Sequence, residues 1–128
     1  MQTLKPDSGK AVTAFFYREP GSDPASEPVR DWLKSLHKRE MVEIGRDLKV
    51  VEYHWPRVQE ARPRLVKHFD GDIWYTRTNL ENRIARVFFA VAEGRMILLH
   101  GFIKKSERIP DQDGRIARDR LRKMKGTP

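Results

Sequence analysis

The residues best suited to chemistry are four cations on strand-forming sequence: Arg77, Arg86, Lys104 and Lys105. Side chains alternate between faces along a strand, so Tyr75 and Arg77 share one face while Trp74 and Thr76 take the other. Arg86 likewise shares a face with Phe88, opposite Val87, Phe89 and Val91. His100 stands four residues before Lys104 and on the same face. An arginine within the apolar run 84–88 is costly unless it faces water or a ligand. It is read here as exposed, so truncating it should barely change stability. Basic groups gathered on a concave sheet can bind a phosphate, stabilise a phosphorane and move protons. Arginine stays charged and serves as a clamp, whereas a crowded lysine can lose its proton and act as a base. The alternative is a pair of surface strands carrying ordinary solvated charges.

Other chemistries find little support. The chain contains no cysteine, which removes thiolate nucleophiles, disulfides and Cys-based metal sites. His37, His54, His68 and His100 are widely spaced, and none has a helical i, i+3 or i+4 partner. There is no glycine-rich phosphate loop and no nucleophile-elbow motif. No metal and no cofactor is therefore expected.

The elements that would carry these residues follow from periodicity. Residues 11–17 are β-branched and aromatic and predict a first strand. A loop rich in Pro and Gly spans residues 18–27, after which Ser26 is expected to cap a helix with Glu27 and Pro28 in its first turn. Val29, Trp32, Leu33 and Leu36 give that helix its apolar face, ending near His37 or Lys38. Met41, Ile44, Leu48 and Val51 predict a second helix that stops before Pro56. Asp70 and Gly71 signal a turn, residues 73–77 a strand, and 78–82 a polar connection. Residues 83–92 and 96–104 predict two further strands about a tight Glu93–Gly94 turn. A last helix carries Ile116, Ala117, Leu121 and Met124. The expected fold is thus α+β, in the order β-α-α-β-β-β-α, with an antiparallel meander and helices packed on one sheet face.

Composition narrows the class. The chain has 128 residues, 38% of them hydrophobic and 34% charged, and a net charge of +8, which suits one folded domain spanning 1–128. Nine of its 26 Lys and Arg residues lie within 104–125. Such a field steers a protein toward phosphate-rich partners, although a solvated helix face or an acidic protein partner would account for it equally. The longest apolar run is 87–92, far short of the ~18 residues of a membrane span. The first ten residues lack an apolar core, which argues against a secretory signal and for a cytoplasmic protein without membrane contact.

Three segments resemble a known family: 72–77 (DIWYTR), 86–91 (RVFFAV) and 98–105 (LLHGFIKK). They are supported by Ile109, Pro110 and 116–118 after them and by 16–18 and 27–33 before them. Together they resemble the HigB/RelE superfamily of type II toxin–antitoxin toxins, in its phage-derived HigB-like branch, over nearly the whole chain. The resemblance implies a small RelE-like (microbial RNase-like) domain. It also implies a toxin acting as a ribosome-dependent mRNA endoribonuclease (an mRNA interferase, a hydrolase by class). Such an enzyme arrests growth without a metal, by attack of the ribose 2′-OH on the adjacent phosphate. By position Arg77 and Arg86 match the strand arginines that hold the scissile phosphate. Lys104 and Lys105 match the basic pair closing the last strand, and His100 is a candidate acid or base. Tyr75 stands where some relatives have lysine and is suited to stacking on a base. Arg83, Arg118, Arg122 and Lys123 are expected to contact RNA or the ribosome. The C-terminal tyrosine that some relatives place near the leaving group is missing, which leaves the general acid open. Implied partners are the 70S ribosome, mRNA and a cognate helix-turn-helix antitoxin of the HigA type. The alternative on the same fold is a ParE-like inhibitor of DNA gyrase with no nuclease activity; a plain nucleic-acid-binding module is a third reading.

Overall fold

A computed structural model describes residues 9–126. After β1 (Thr13–Phe16) come α1 (Pro28–Ser35), α2 (Lys38–His54) and the single turn α3 (Val58–Ala61). Four strands follow in succession, β2 (Val66–Asp70), β3 (Ile73–Leu80), β4 (Arg83–Ala92) and β5 (Arg95–Lys104), and then α4 (Asp111–Met124). They form one five-stranded sheet in the order β1-β5-β4-β3-β2. β2 to β5 are an antiparallel meander, and β1 lies parallel to β5 at the edge. Among the described residues no helix is long and apolar enough to cross a membrane.

The α+β class and the meander match expectation; the single turn α3 is an addition to the expected order, and four further readings are corrected. Val66–Asp70 is a strand that was not foreseen, because its mixed residues at the sheet edge carry only a weak alternation. Residues 78–80 continue β3 instead of forming a connection. Thr78 is buried there because its hydroxyl donates to Asp47 of α2 at 2.7 Å, which satisfies a polar group that would otherwise be costly. Ser26 does not cap α1: the helix begins at Pro28 with Glu27 as its cap residue, while the Ser26 amide donates to the Ser22 hydroxyl. Finally, the helices do not share one face.

Two cores explain that last point. On one face Val29, Ile44, Leu48 and Val51 of α1 and α2 pack against Ala85, Val87, Phe89, Met96 and Leu98. On the other, Ala117 and Leu121 of α4 pack against Ile73, Phe88, Ala90, Leu99 and Phe102. Strand β4 is buried on both sides and accordingly reads as an almost continuous apolar run. Gly101 sits where α1 crosses β5: a Cβ there would lie 2.3 Å from the Trp32 ring. The Glu93–Gly94 turn, with φ of 53° and 74°, is the tight hairpin expected between β4 and β5.

A β-bulge sets the orientation of the end of β5. Phe88 pairs with His100 but Phe89 pairs with Leu98, so Leu99 is an extra residue. The alternation therefore shifts by one. Leu99 and His100 both serve the α4 face, and from there Phe102 and Lys104 share that face while Gly101 turns to α1.

Candidate functional site

The register of β3, β4 and β5 lays three rows of side chains across the α4 face. Tyr75, Phe88 and His100 form one row; Arg77, Arg86 and Phe102 the next; Asn79, Ile84 and Lys104 the third. Rows on one face repeat about every 7 Å along a strand. The middle row holds the main electrostatic problem. Arg77 and Arg86 are directly opposed across two strands, and like charges so placed repel.

Arg86 is not exposed, contrary to the reading from sequence; it retains 1% of its exposure. Tertiary packing overrides its polarity: the guanidinium lies over the Phe102 ring at 5.8 Å. Its Nη2 donates to the Glu107 carbonyl at 3.0 Å, but Nε and Nη1 are buried without a hydrogen-bond partner. Burial holds its pKa below the ordinary arginine value, and Arg77 acts in the same direction, whereas Tyr75 and Glu107 oppose the shift. Arg77 keeps 15% of its side-chain exposure and donates from Nη2 to the Glu107 carboxylate at 2.6 Å. The other oxygen of that carboxylate lies 3.9 Å from Arg86. One loop residue between β5 and α4 thus touches both strand arginines. Two guanidiniums converging with unused donors have the chemistry that a tetrahedral anion requires.

His100 is differently employed. Its ring lies beside those of Phe88 and Phe102, at centroid distances of 6.2 and 5.9 Å, and those two rings are themselves 6.0 Å apart. Nε2 contacts the Asp113 carboxylate at 2.6 Å, and Nδ1 faces Arg120 Nη1 at 3.4 Å. The neutral tautomer protonated at Nε2 satisfies both contacts, donating to Asp113 and accepting from Arg120. Burial lowers the His100 pKa, against the pull of Asp113 in the other direction. Arg120 also donates to the Leu99 carbonyl at 2.8 Å and lies over the Tyr17 ring. The Tyr17 hydroxyl donates to Glu19, which also accepts from Lys123. Burial raises the Tyr17 pKa, and the Tyr17 hydrogen bond lowers that of Glu19. These contacts fasten α4 to the sheet beside the arginine row.

The fold thus brings Tyr75, Arg77, Arg86, His100 and Lys104 onto one face. Lys104 and Lys105 are exposed at and just beyond the end of β5, next to the Glu107 loop. Arg83 turns to the α2 side, where it pairs with Glu40. Three basic groups of α4 are each engaged with a carboxylate: Arg118 with Asp70, Arg122 with Asp119, Lys123 with Glu19. Sequence reasoning missed Glu107, Asp113 and Arg120. Glu107 lies amid Lys105 and Arg108, but nothing in its spacing indicates that the loop folds back over β3 and β4. Among the described residues no three His, Asp or Glu side chains gather as a metal site would require.

A search of curated proteins finds no match to this chain. A family profile described as Phage derived protein Gp49-like (DUF891) matches residues 31–122, which include α2, the whole meander and most of α4. That family lies within the RelE/HigB-type toxin superfamily, and its members are commonly the toxins of toxin–antitoxin systems. With the match running through every residue of the arginine site, the chain belongs to the phage-derived Gp49-like family.

Proposed function

We propose that this chain is the toxin of a type II toxin–antitoxin pair and that it cleaves mRNA on the ribosome by internal transesterification. The observation that carries the reading is the opposed pair Arg77 and Arg86, with two buried donors of Arg86 unused. A buried cation with two donors unused is hard to justify structurally, and it suits a site that stabilises charge developing on a phosphate. In this scheme the ribose 2′ oxygen attacks the adjacent phosphorus and the bond from phosphorus to the 5′ oxygen breaks. The products are a 2′,3′-cyclic phosphate and a 5′-hydroxyl end. Arg77 and Arg86 hold the non-bridging oxygens. Lys104 and Lys105, exposed at and just beyond the end of β5, serve proton transfer and approach of the RNA backbone, and Tyr75 offers a ring to a neighbouring base. His100 acts as a positioning residue, since taking a proton at Nδ1 would lose the contact with Arg120 and set two positive charges side by side. The partners in this reading are a helix-turn-helix antitoxin, the ribosome and mRNA.

The test is induction in cells followed by mapping of mRNA ends. Cuts within translated reading frames, lost in Arg77→Ala, support the reading. Growth arrest with intact mRNA and blocked gyrase supercoiling would replace it with the ParE-like alternative.

A further inference from the structure

We propose that Glu107 is a built-in competitor for the anion site, its carboxylate standing where a substrate phosphate must bind, so that RNA enters only by displacing it. This rests on the reading of Arg77 and Arg86 as a phosphate site. Among the described residues Glu107 is the one carboxylate within 4.0 Å of either arginine, and it reaches both, at 2.6 and 3.9 Å. It carries the single negative charge of a phosphodiester and meets the guanidiniums with two oxygens, as a phosphate would. The cross-strand repulsion between the arginines is thereby relieved without ligand.

The attachment is of a kind that yields. The Glu107 side chain is 76% exposed, whereas Arg86 is 1% exposed and Arg77 15%. The carboxylate can swing into water at little desolvation cost while the arginines stay in place. The carboxylate also leaves Nε and Nη1 of Arg86 unpartnered, so it satisfies the site only in part. A tetrahedral anion with more acceptor oxygens can engage donors that Glu107 does not. The segment Lys105–Ile109 has cations on either side of Glu107, so withdrawal of the carboxylate would leave Lys105 and Arg108 beside an entering backbone. The neutral Glu107→Gln side chain would keep the shape of the loop and lose the competing charge.

The experiment is titration of inorganic phosphate at constant ionic strength, followed through arginine side-chain Nε–H resonances in the wild type, Glu107→Gln and Glu107→Gln/Arg77→Ala. An exposed ion pair of this kind competes weakly, so Glu107→Gln should tighten phosphate binding by about three- to five-fold. The added Arg77→Ala should abolish that gain. Equal or weaker binding by Glu107→Gln, with phosphate still shifting the arginine resonances, would overturn the competitor and leave the arginine site standing. No arginine shifts in any of the three proteins, or a gain that survives Arg77→Ala, would overturn both.

Discussion

Arg86→Met removes the guanidinium but keeps a long unbranched stem, so it separates the buried charge from the packing around it. In the native chain two donors of a side chain 1% exposed have no partner, a cost of about 1 kcal/mol each at the low end. Repulsion from Arg77 across the strands adds a few tenths, ~0.2–1 kcal/mol. Against this, the bond from Nη2 to the Glu107 carbonyl is lost, about 1.5 kcal/mol for a charged donor. That carbonyl belongs to an exposed loop residue and can turn to water. The balance is a stabilisation of about 1 kcal/mol, or ~4 °C in Tm for a chain of this length. Arg86→Ala differs, because truncation in a packed site leaves a cavity costing ~2 kcal/mol or more. Thermal unfolding of the purified proteins, set beside colony counts after induction, reads both quantities. The expected result is a higher Tm and lost toxicity in Arg86→Met. A Tm lower by several degrees with toxicity retained would refute the reasoning, since Arg86 would then be a structural residue.

Other perturbations test the frame around the site. Gly101→Ala forces a Cβ to within 2.3 Å of the Trp32 ring, and overpacking of this kind should cost ~1–3 kcal/mol, read as a lower urea midpoint at unchanged slope. His100 has its pKa lowered by burial from an ordinary value near 6.5, so the unfolded chain binds its proton more readily. Its contribution is therefore complete above pH ~6.5 and is lost as pH falls through that value toward the folded pKa. His100→Gln should flatten the stability profile below pH ~6.5; an unchanged profile would contradict the buried neutral assignment. Arg122→Ala removes a side chain paired with Asp119 on its own helix, so it should leave Tm within ~0.5 kcal/mol equivalent and reduce toxicity less than Arg77→Ala does.

Much of the site's layout is legible in the sequence. Period-2 alternation correctly pairs Tyr75 with Arg77 and Arg86 with Phe88, and the apolar stripes place α1, α2 and α4. The helix faces were harder to read. A strand buried on both sides carries no alternation to say which helix covers which face, so the split between α1–α2 and α4 emerges only in the packing. The bulge at Leu99 leaves no composition signal, yet it decides that His100, Phe102 and Lys104 share the arginine face. The burial of Arg86 and its ties to Glu107 depend on a loop folding back across two strands, a long-range event that local spacing does not encode. Likewise, the α4 cations look like a nucleic-acid face in sequence, but their carboxylate partners lie as far away as Glu19 and Asp70.

The most direct test of the central claim is cleavage of one defined mRNA in a reconstituted translation system, with and without ribosomes, by wild type and Arg77→Ala. The account predicts cuts only in the translated message, ending in a 2′,3′-cyclic phosphate. It also predicts a rate reduced by about 10²–10³ in Arg77→Ala, as expected when one transition-state charge contact is removed. An intact message under the wild-type protein, or equal cutting by Arg77→Ala, would contradict it.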